Sequence, residues 1–132
     1  DLLSPNLLNF VRYTENYAKH YFHKSDVKIT FTQNDITKKE ISAEKRRNLF
    51  LCTKEALNNI LKHSEAKNVN INFHQEENQF TVTVSDDGKG FVKDFVAGNG
   101  LANMKTRMKD CAGSFKVLED QKGTVLQFIL SM

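Results

Sequence analysis

The stretch QFTVTVSDDGKGF, Gln79 to Phe91, decides how the rest of the chain is read. Phe80, Val82 and Val84 alternate with Thr81, Thr83 and Ser85, which is the period of a strand with one apolar and one polar face. One more step of that alternation puts Asp86 on the apolar side. A carboxylate aimed at a core is costly unless something there donates hydrogen bonds to it. Asp-Gly after an alternating strand is also a hairpin signal, so the stretch alone leaves two readings open, a plain turn and a binding residue.

The chain around it has 132 residues, the size of one domain, with 39% hydrophobic residues, ten Phe, no Trp and one Pro. This is the composition of a soluble globular protein. No run approaches the roughly 18 apolar residues of a membrane helix and no signal peptide opens the sequence, so a cytoplasmic domain without direct membrane contact is expected. Cys52 and Cys111 lie in expected helices beside apolar neighbours, without metal-ligand spacing, and are read as reduced thiols. The formal charge is +3, densest in KKEISAEKRR from Lys38 to Arg47. That excess is too mild for a nucleic-acid binder and suits a solvated helix start or a contact for an acidic partner.

Ser4-Pro5 reads as a cap followed by proline at the first helical position, giving a helix from about Pro5 to Phe22. A strand follows at Val27 to Phe31. Ser42 caps a second helix from about Ala43 to His63. Strands from Asn68 and from Phe80 are joined by the turn QEEN, and a third helix runs from Leu101 to about Cys111 with Leu101, Met104, Met108 and Cys111 as its apolar stripe. Gly113 takes the position of a helix-terminating glycine. SFKVLE and TVLQFIL close the chain as a hairpin through DQKG. Antiparallel hairpins mixed with helices imply an α+β fold, a two-layer α/β sandwich with about five strands in a mixed sheet and about three helices on one face.

On the second helix, Leu49, Phe50, Thr53, Ala56, Leu57, Ile60 and Leu61 share an apolar arc, and the opposite arc carries Glu55, Asn58, Asn59 and Lys62. Glu55 and Asn59 are one turn apart. Such a stripe is ordinarily a solvated face. A carboxylate and an amide oxygen so spaced also make a hard oxygen pair suited to Mg²⁺ and to an activated attacking group, and Lys62 can reach a phosphate.

KEALNNILKH in a helix, SDDGKG closing a strand, GNGLANM opening a helix and KGT in the last hairpin stand in one order with characteristic spacing. The chain resembles the ATP-binding catalytic domain of sensor histidine kinases, in the gyrase, MutL and histidine kinase ATPase superfamily with its Bergerat-type fold. The resemblance covers about Ser42 to Leu130. More weakly, the segment before it is similar to the connecting segment of nitrate-sensor-type kinases. Residues 1–41 are accordingly assigned as a connecting helix and first strand of the same domain, and residues 42–132 as the ATP-binding core.

The resemblance implies a role for each matching position. Asp86 accepts from the exocyclic amine of adenine, where guanine presents an acceptor, and Gly88 and Gly90 let the backbone pass close to the base. Glu55 polarises the attacking group, Asn59 holds Mg²⁺ with Glu55 as a possible second ligand, and Lys62 and His63 lie along the phosphates. Gly98, Gly100 and Leu101 bring a helix N-terminus to the phosphates, and Thr124 lies near the adenine. The loop between Gly90 and Gly98 is short for the superfamily. Asp87 stands where many relatives have Asn and is expected to point outward without a role. GNGL matches no Rossmann fingerprint, and no phosphate-binding GxxxxGK[ST] loop occurs.

None of His20, His23, His63 and His74 precedes an acidic residue, as phospho-accepting histidines of these kinases usually do. The resemblance therefore implies a module that supplies ATP to a histidine on a separate, dimerising helical hairpin upstream, within a homodimer acting on a response regulator. A serine kinase of the same superfamily and a non-catalytic nucleotide-binding interaction module are the alternatives.

Overall fold

The computed structural model describes residues 5–89, 100–120 and 123–132. Three helices, α1 (Leu7–Phe22), α2 (Ala43–Asn59) and α3 (Gly100–Asp110), pack on a five-stranded sheet of β1 (Lys28–Gln33), β2 (Asn68–Gln75), β3 (Gln79–Asp86), β4 (Gly113–Asp120) and β5 (Gly123–Ser131). The strand order is β1-β2-β3-β5-β4. β1 runs parallel to β2, across the crossover that contains α2, and the other neighbouring pairs are antiparallel. This is the expected two-layer α+β sandwich with a mixed sheet.

Period-two alternation places the core. Val69, Ile71 and Phe73 of β2, Phe80, Val82 and Val84 of β3, and Leu126, Phe128 and Leu130 of β5 are all buried on the helix-facing side. Asn70, Asn72, Thr83 and Gln127 face the other way, where Asn70 Nδ2 donates to Thr30 Oγ1 at 2.9 Å and Asn72 Nδ2 to Thr32 Oγ1 at 2.7 Å. Phe10 of α1 meets Phe80 edge-on, with centroids 6.1 Å apart and planes at 87°. That contact seats the first helix on the middle of the sheet.

Two helix boundaries differ from the sequence reading. α1 starts at Leu7 with Asn6 as its cap, Asn6 Oδ1 accepting from Asn9 N at 2.9 Å, and not with proline as first helical residue. Pro5 is held outside the helix because its carbonyl accepts from Ile41 N at 2.9 Å, while Leu7 N donates to Lys39 O at 2.9 Å. At the end of α3 the left-handed residue is Ala112, at φ 60°, and Gly113 already begins β4. Gly113 is needed there for contact, since a Cβ would lie 2.5 Å from Ile129 O on the paired strand.

The basic run is partly structural. Lys39 Nζ donates to Glu77 O at 3.1 Å, Lys45 Nζ to Ser131 O at 2.6 Å, and buried Arg46 donates to Ile41 O. Cys52 and Cys111 are free and buried, as expected, and burial pushes the Cys52 thiol up to about 12.

Asp87, for which no role was expected, points outward and clips the end of β3 to the start of β2. Its Oδ1 accepts from Lys67 N and Asn68 N at 2.8 Å each, and its Oδ2 from Asn68 Nδ2 at 2.8 Å. The Asn68 amide, followed by the backbone donors, holds the carboxyl below its ordinary range. A lowered folded-state pKa adds stability above the unfolded value of about 3.9 and loses it as pH falls through the folded one. Urea titrations should show wild type more stable than Asp87→Asn at pH 6, with the difference closing below about pH 4; a difference that stays constant with pH would show that the charge is irrelevant to the clip.

Candidate functional site

The site is assembled at the end of β3, where three backbone segments crowd together. Asp86 and Thr124 are paired across β3 and β5, so their side chains lie on the same, helix-facing side of the sheet. The alternation that placed Asp86 inward is thus what the structure contains. Asp86 Oδ1 accepts from Gly88 N at 2.8 Å, and its Oδ2 is shielded from solvent. Thr124 is 1% exposed and its Oγ1 has no hydrogen-bond partner among the described residues. A buried hydroxyl in that state costs roughly 1–3 kcal/mol, which a bound polar group or water would recover.

Two glycines make this approach feasible. Gly123, at φ 154°, lies so near β3 that a Cβ would stand 1.8 Å from Asp86 O. A Cβ on Gly88 would stand 2.1 Å from Ser64 O, so no other residue fits without moving backbone. Lys89 N then donates to Ser64 O at 2.7 Å, which ties the loop after β3 to the end of the second helix.

That helix end is not the continuous α-helix to His63 expected from the sequence. The α-helix stops at Asn59 and a single π-helical turn runs from Ile60 to Ser64, followed by Glu65 at φ 55°. Ser64 is buried, its Oγ donates to Ile60 O at 2.9 Å and accepts from Ala66 N at 3.1 Å, and its carbonyl is left for Lys89. Isolated π turns occur preferentially at functional sites. Here the turn presents Lys62 and His63 as exposed side chains beside the loop.

Asn59 was placed on the polar arc but is only 4% exposed. At about 100° per residue it falls within about 20° of Cys52, which is fully buried, so it sits on the margin of the core face. Its Nδ2 donates to Glu55 Oε1 at 3.2 Å, which turns Oδ1 away from Glu55. The oxygen left to a hard divalent cation is thus Asn59 Oδ1, with the Glu55 carboxylate on the nitrogen side of the same amide.

Glu55 and Gly100 line a cavity of about 410 Å³ among the three helices, with Tyr17, Tyr21, Lys54, Asn58 and Arg107 also on its wall. Asn59, Asp86 and Thr124 are not on that wall. The candidate residues therefore form two ends, Asp86, Gly88 and Thr124 beside Ser64, and Glu55 with Gly100 beside the cavity. From Glu55 to Ser64 the helix rises roughly 13 Å, with Asn59 between. Gly100 opens α3 and is buried, and Leu101 follows it, packed on the core. Gly90 and Gly98 lie outside the described residues. Sequence reasoning missed Ser64, Tyr21, Lys54 and Arg107; the four-residue spacing of Tyr13, Tyr17 and Tyr21 was the only signal for any of them.

A sequence profile described as the histidine kinase-, DNA gyrase B- and HSP90-like ATPase matches residues 44–132. The chain is 39% identical over 80 residues to the sensor histidine kinase DesK of Bacillus subtilis, covering 59% of this chain and 21% of that protein. It is 34% identical over 96 residues to the sensor histidine kinase LiaS of Bacillus subtilis, covering 70% and 27%, and 34% identical over 77 residues to the nitrate/nitrite sensor NarX of Escherichia coli, covering 57% and 13%. It thus spans only about a fifth to a quarter of the first two relatives. Among solved structures, the catalytic domain of histidine kinase ThkA matches with TM-score 0.77 at 15% identity, covering 96% of this chain and 93% of that one. The ATP-binding domain of PrrB from Mycobacterium tuberculosis matches with TM-score 0.73 at 17% identity, covering 92% and 93%. The match over residues 44–132 shows that the chain belongs to the histidine kinase-, DNA gyrase B- and HSP90-like ATPase family, whose members bind ATP.

Proposed function

We propose that this chain is the ATP-binding catalytic domain of a two-component sensor histidine kinase, passing the γ-phosphoryl of Mg-ATP to a histidine on a separate dimerisation domain. The observation that carries the reading is the pairing of Asp86 with Thr124, whose shielded hydroxyl has no partner among the described residues, at the point where Gly88 and Gly123 bring three backbones together. Asp86 accepts the amine of adenine, and Thr124 supplies a hydroxyl to the same base or to a water beside it. Guanine offers an acceptor where adenine offers the amine, and faces a like acceptor in Asp86.

At the other end, Asn59 Oδ1 would hold Mg²⁺, which when bound would supply charge neutralisation for the phosphates. Glu55 polarises the acceptor imidazole. Lys62 and His63 on the π turn, together with the backbone N–H groups at Gly100 and Leu101, favour the negative phosphate chain. The work asked of the protein is positioning and charge placement, the general requirement of phosphoryl transfer. No helix among the described residues is long and apolar enough to cross a membrane. The acceptor domain, the homodimer and the response regulator belong to the remainder of such a protein.

Titration calorimetry with a non-hydrolysable ATP analogue and Mg²⁺ should give binding that Asp86→Asn weakens about tenfold to a hundredfold, the weight of a hydrogen bond to a charged group. Equal affinity in the two proteins would remove Asp86 from the pocket. Asn59→Ala should retain the fold and slow Mg²⁺-dependent transfer to the acceptor domain by about a hundredfold. Mapping the labelled residue under alkaline conditions should find histidine; label on serine would favour the serine kinase of the same superfamily.

A further inference from the structure

Asn58 stands on the polar arc of α2 next to Asn59, and the nucleotide reading gives it no task. It is half-buried, and its Oδ1 accepts from the hydroxyl of Tyr21 at 2.7 Å, across 37 residues of sequence. Tyr21 belongs to a row on α1 at four-residue spacing. Its ring stacks on Tyr17 with centroids 5.8 Å apart and planes at 12°, and Tyr17 in turn meets Phe50 of α2 edge-on at 5.1 Å. Tyr13 meets the same Phe50 at 5.1 Å and 62°. The row is thus fixed to α2 by rings at one end and by a single hydroxyl at the other.

That hydroxyl acts within one turn of both candidate chemical residues, since Asn58 lies three residues after Glu55 and one before Asn59. It also acts at the end of the α-helical part of α2. The α-helix ends at Asn59, with Ile60 N–H still donating to Ala56 O, and a π turn follows. Tyr21 and Glu55 share the wall of the three-helix cavity. Burial, with the nearby Glu55 charge added, raises the Tyr21 phenol above its ordinary range, so the hydroxyl remains a donor at neutral pH.

We propose that Tyr21 is a positioning residue: by donating to Asn58 Oδ1 it fixes the rotation of the α2 turn that carries Glu55 and Asn59, and so ties α1 to the phosphoryl-transfer end of the site. The inference rests on the nucleotide reading of Glu55 and Asn59. Its consequence is that displacement of α1 changes the rate of transfer through one hydrogen bond without changing how adenine is held, because Asp86 and Thr124 are fixed by the sheet.

The test is Tyr21→Phe, which keeps the ring and its stacking. In the protein without nucleotide, exchange of the backbone amides of Glu55 to Asn59 should quicken about fivefold, the equilibrium weight of one net hydrogen bond. In the full-length kinase with its acceptor domain, single-turnover transfer should slow about fivefold to tenfold while affinity for adenosine, measured without Mg²⁺, stays within about twofold. Asn58→Ala should slow transfer by a similar factor, and the double variant no further, since the same hydrogen bond is lost once. A purely structural role would lower affinity and melting temperature together with rate. Unchanged exchange, an unchanged transfer rate, or additive effects in the double variant would each overturn the proposal. A wild type that binds no nucleotide would refute the function proposed above, and amide exchange would still decide whether Tyr21 clamps α2.

Discussion

At the end of β3 the backbone of Gly88 lies against the carbonyl of Ser64, and that of Gly123 against the carbonyl of Asp86, both closer than any side chain allows. The remainder of the site depends on this crowding. It sets the height of α2 over the sheet, because Ser64 ends the second helix and Lys89 N closes the contact through a hydrogen bond of 2.7 Å. It also sets the register of β5, so that Thr124 comes opposite Asp86. Glycine at these two positions is therefore a requirement of the fold before it is a requirement of any ligand.

The crowding explains how a carboxylate is tolerated on the core face. An aspartate there would be expelled to solvent in an ordinary hairpin, since burying its charge without hydrogen bonds costs far more than the turn contributes. Here Gly88 N reaches back to Asp86 Oδ1, and Asp87 takes the outward position with three donors of its own. Two adjacent carboxylates thus separate into different tasks by strand alternation alone. The outward one fastens β2 to β3. The inward one is left where a ligand can meet it, beside the Thr124 hydroxyl.

Much of this was legible in the sequence because it depends on short periods. Alternation at Phe80, Val82 and Val84 places Asp86 inward, and four-residue spacing puts Glu55 beside Asn59, where Nδ2 meets Oε1 at 3.2 Å. What was not legible depends on contacts distant in sequence. Proline was expected to open α1, but a carbonyl 36 residues before its partner Ile41 N holds Pro5 outside, and Asn6 caps instead. The π turn has no propensity signal; it ends at Ser64, whose carbonyl accepts from Lys89 N, distant in sequence. Asn59 reads as part of the polar arc, whereas buried Cys52 extends the core face to its side and leaves it 4% exposed. Gly113 has the composition of a helix stop, whereas its hydrogen is needed against Ile129 O and Ala112 takes the left-handed position.

The central claim is that one end of the proposed site reads a purine through Asp86 and Thr124 while Asn59 faces the metal and phosphates. A crystal structure of the chain with a non-hydrolysable ATP analogue and Mg²⁺ tests this most directly. The account predicts the exocyclic amine on Asp86, the Thr124 hydroxyl satisfied by the base or by a water beside it, and Mg²⁺ on Asn59 Oδ1. A purine lodged away from β3, with Thr124 Oγ1 still unpartnered and the metal held by other residues, would contradict it.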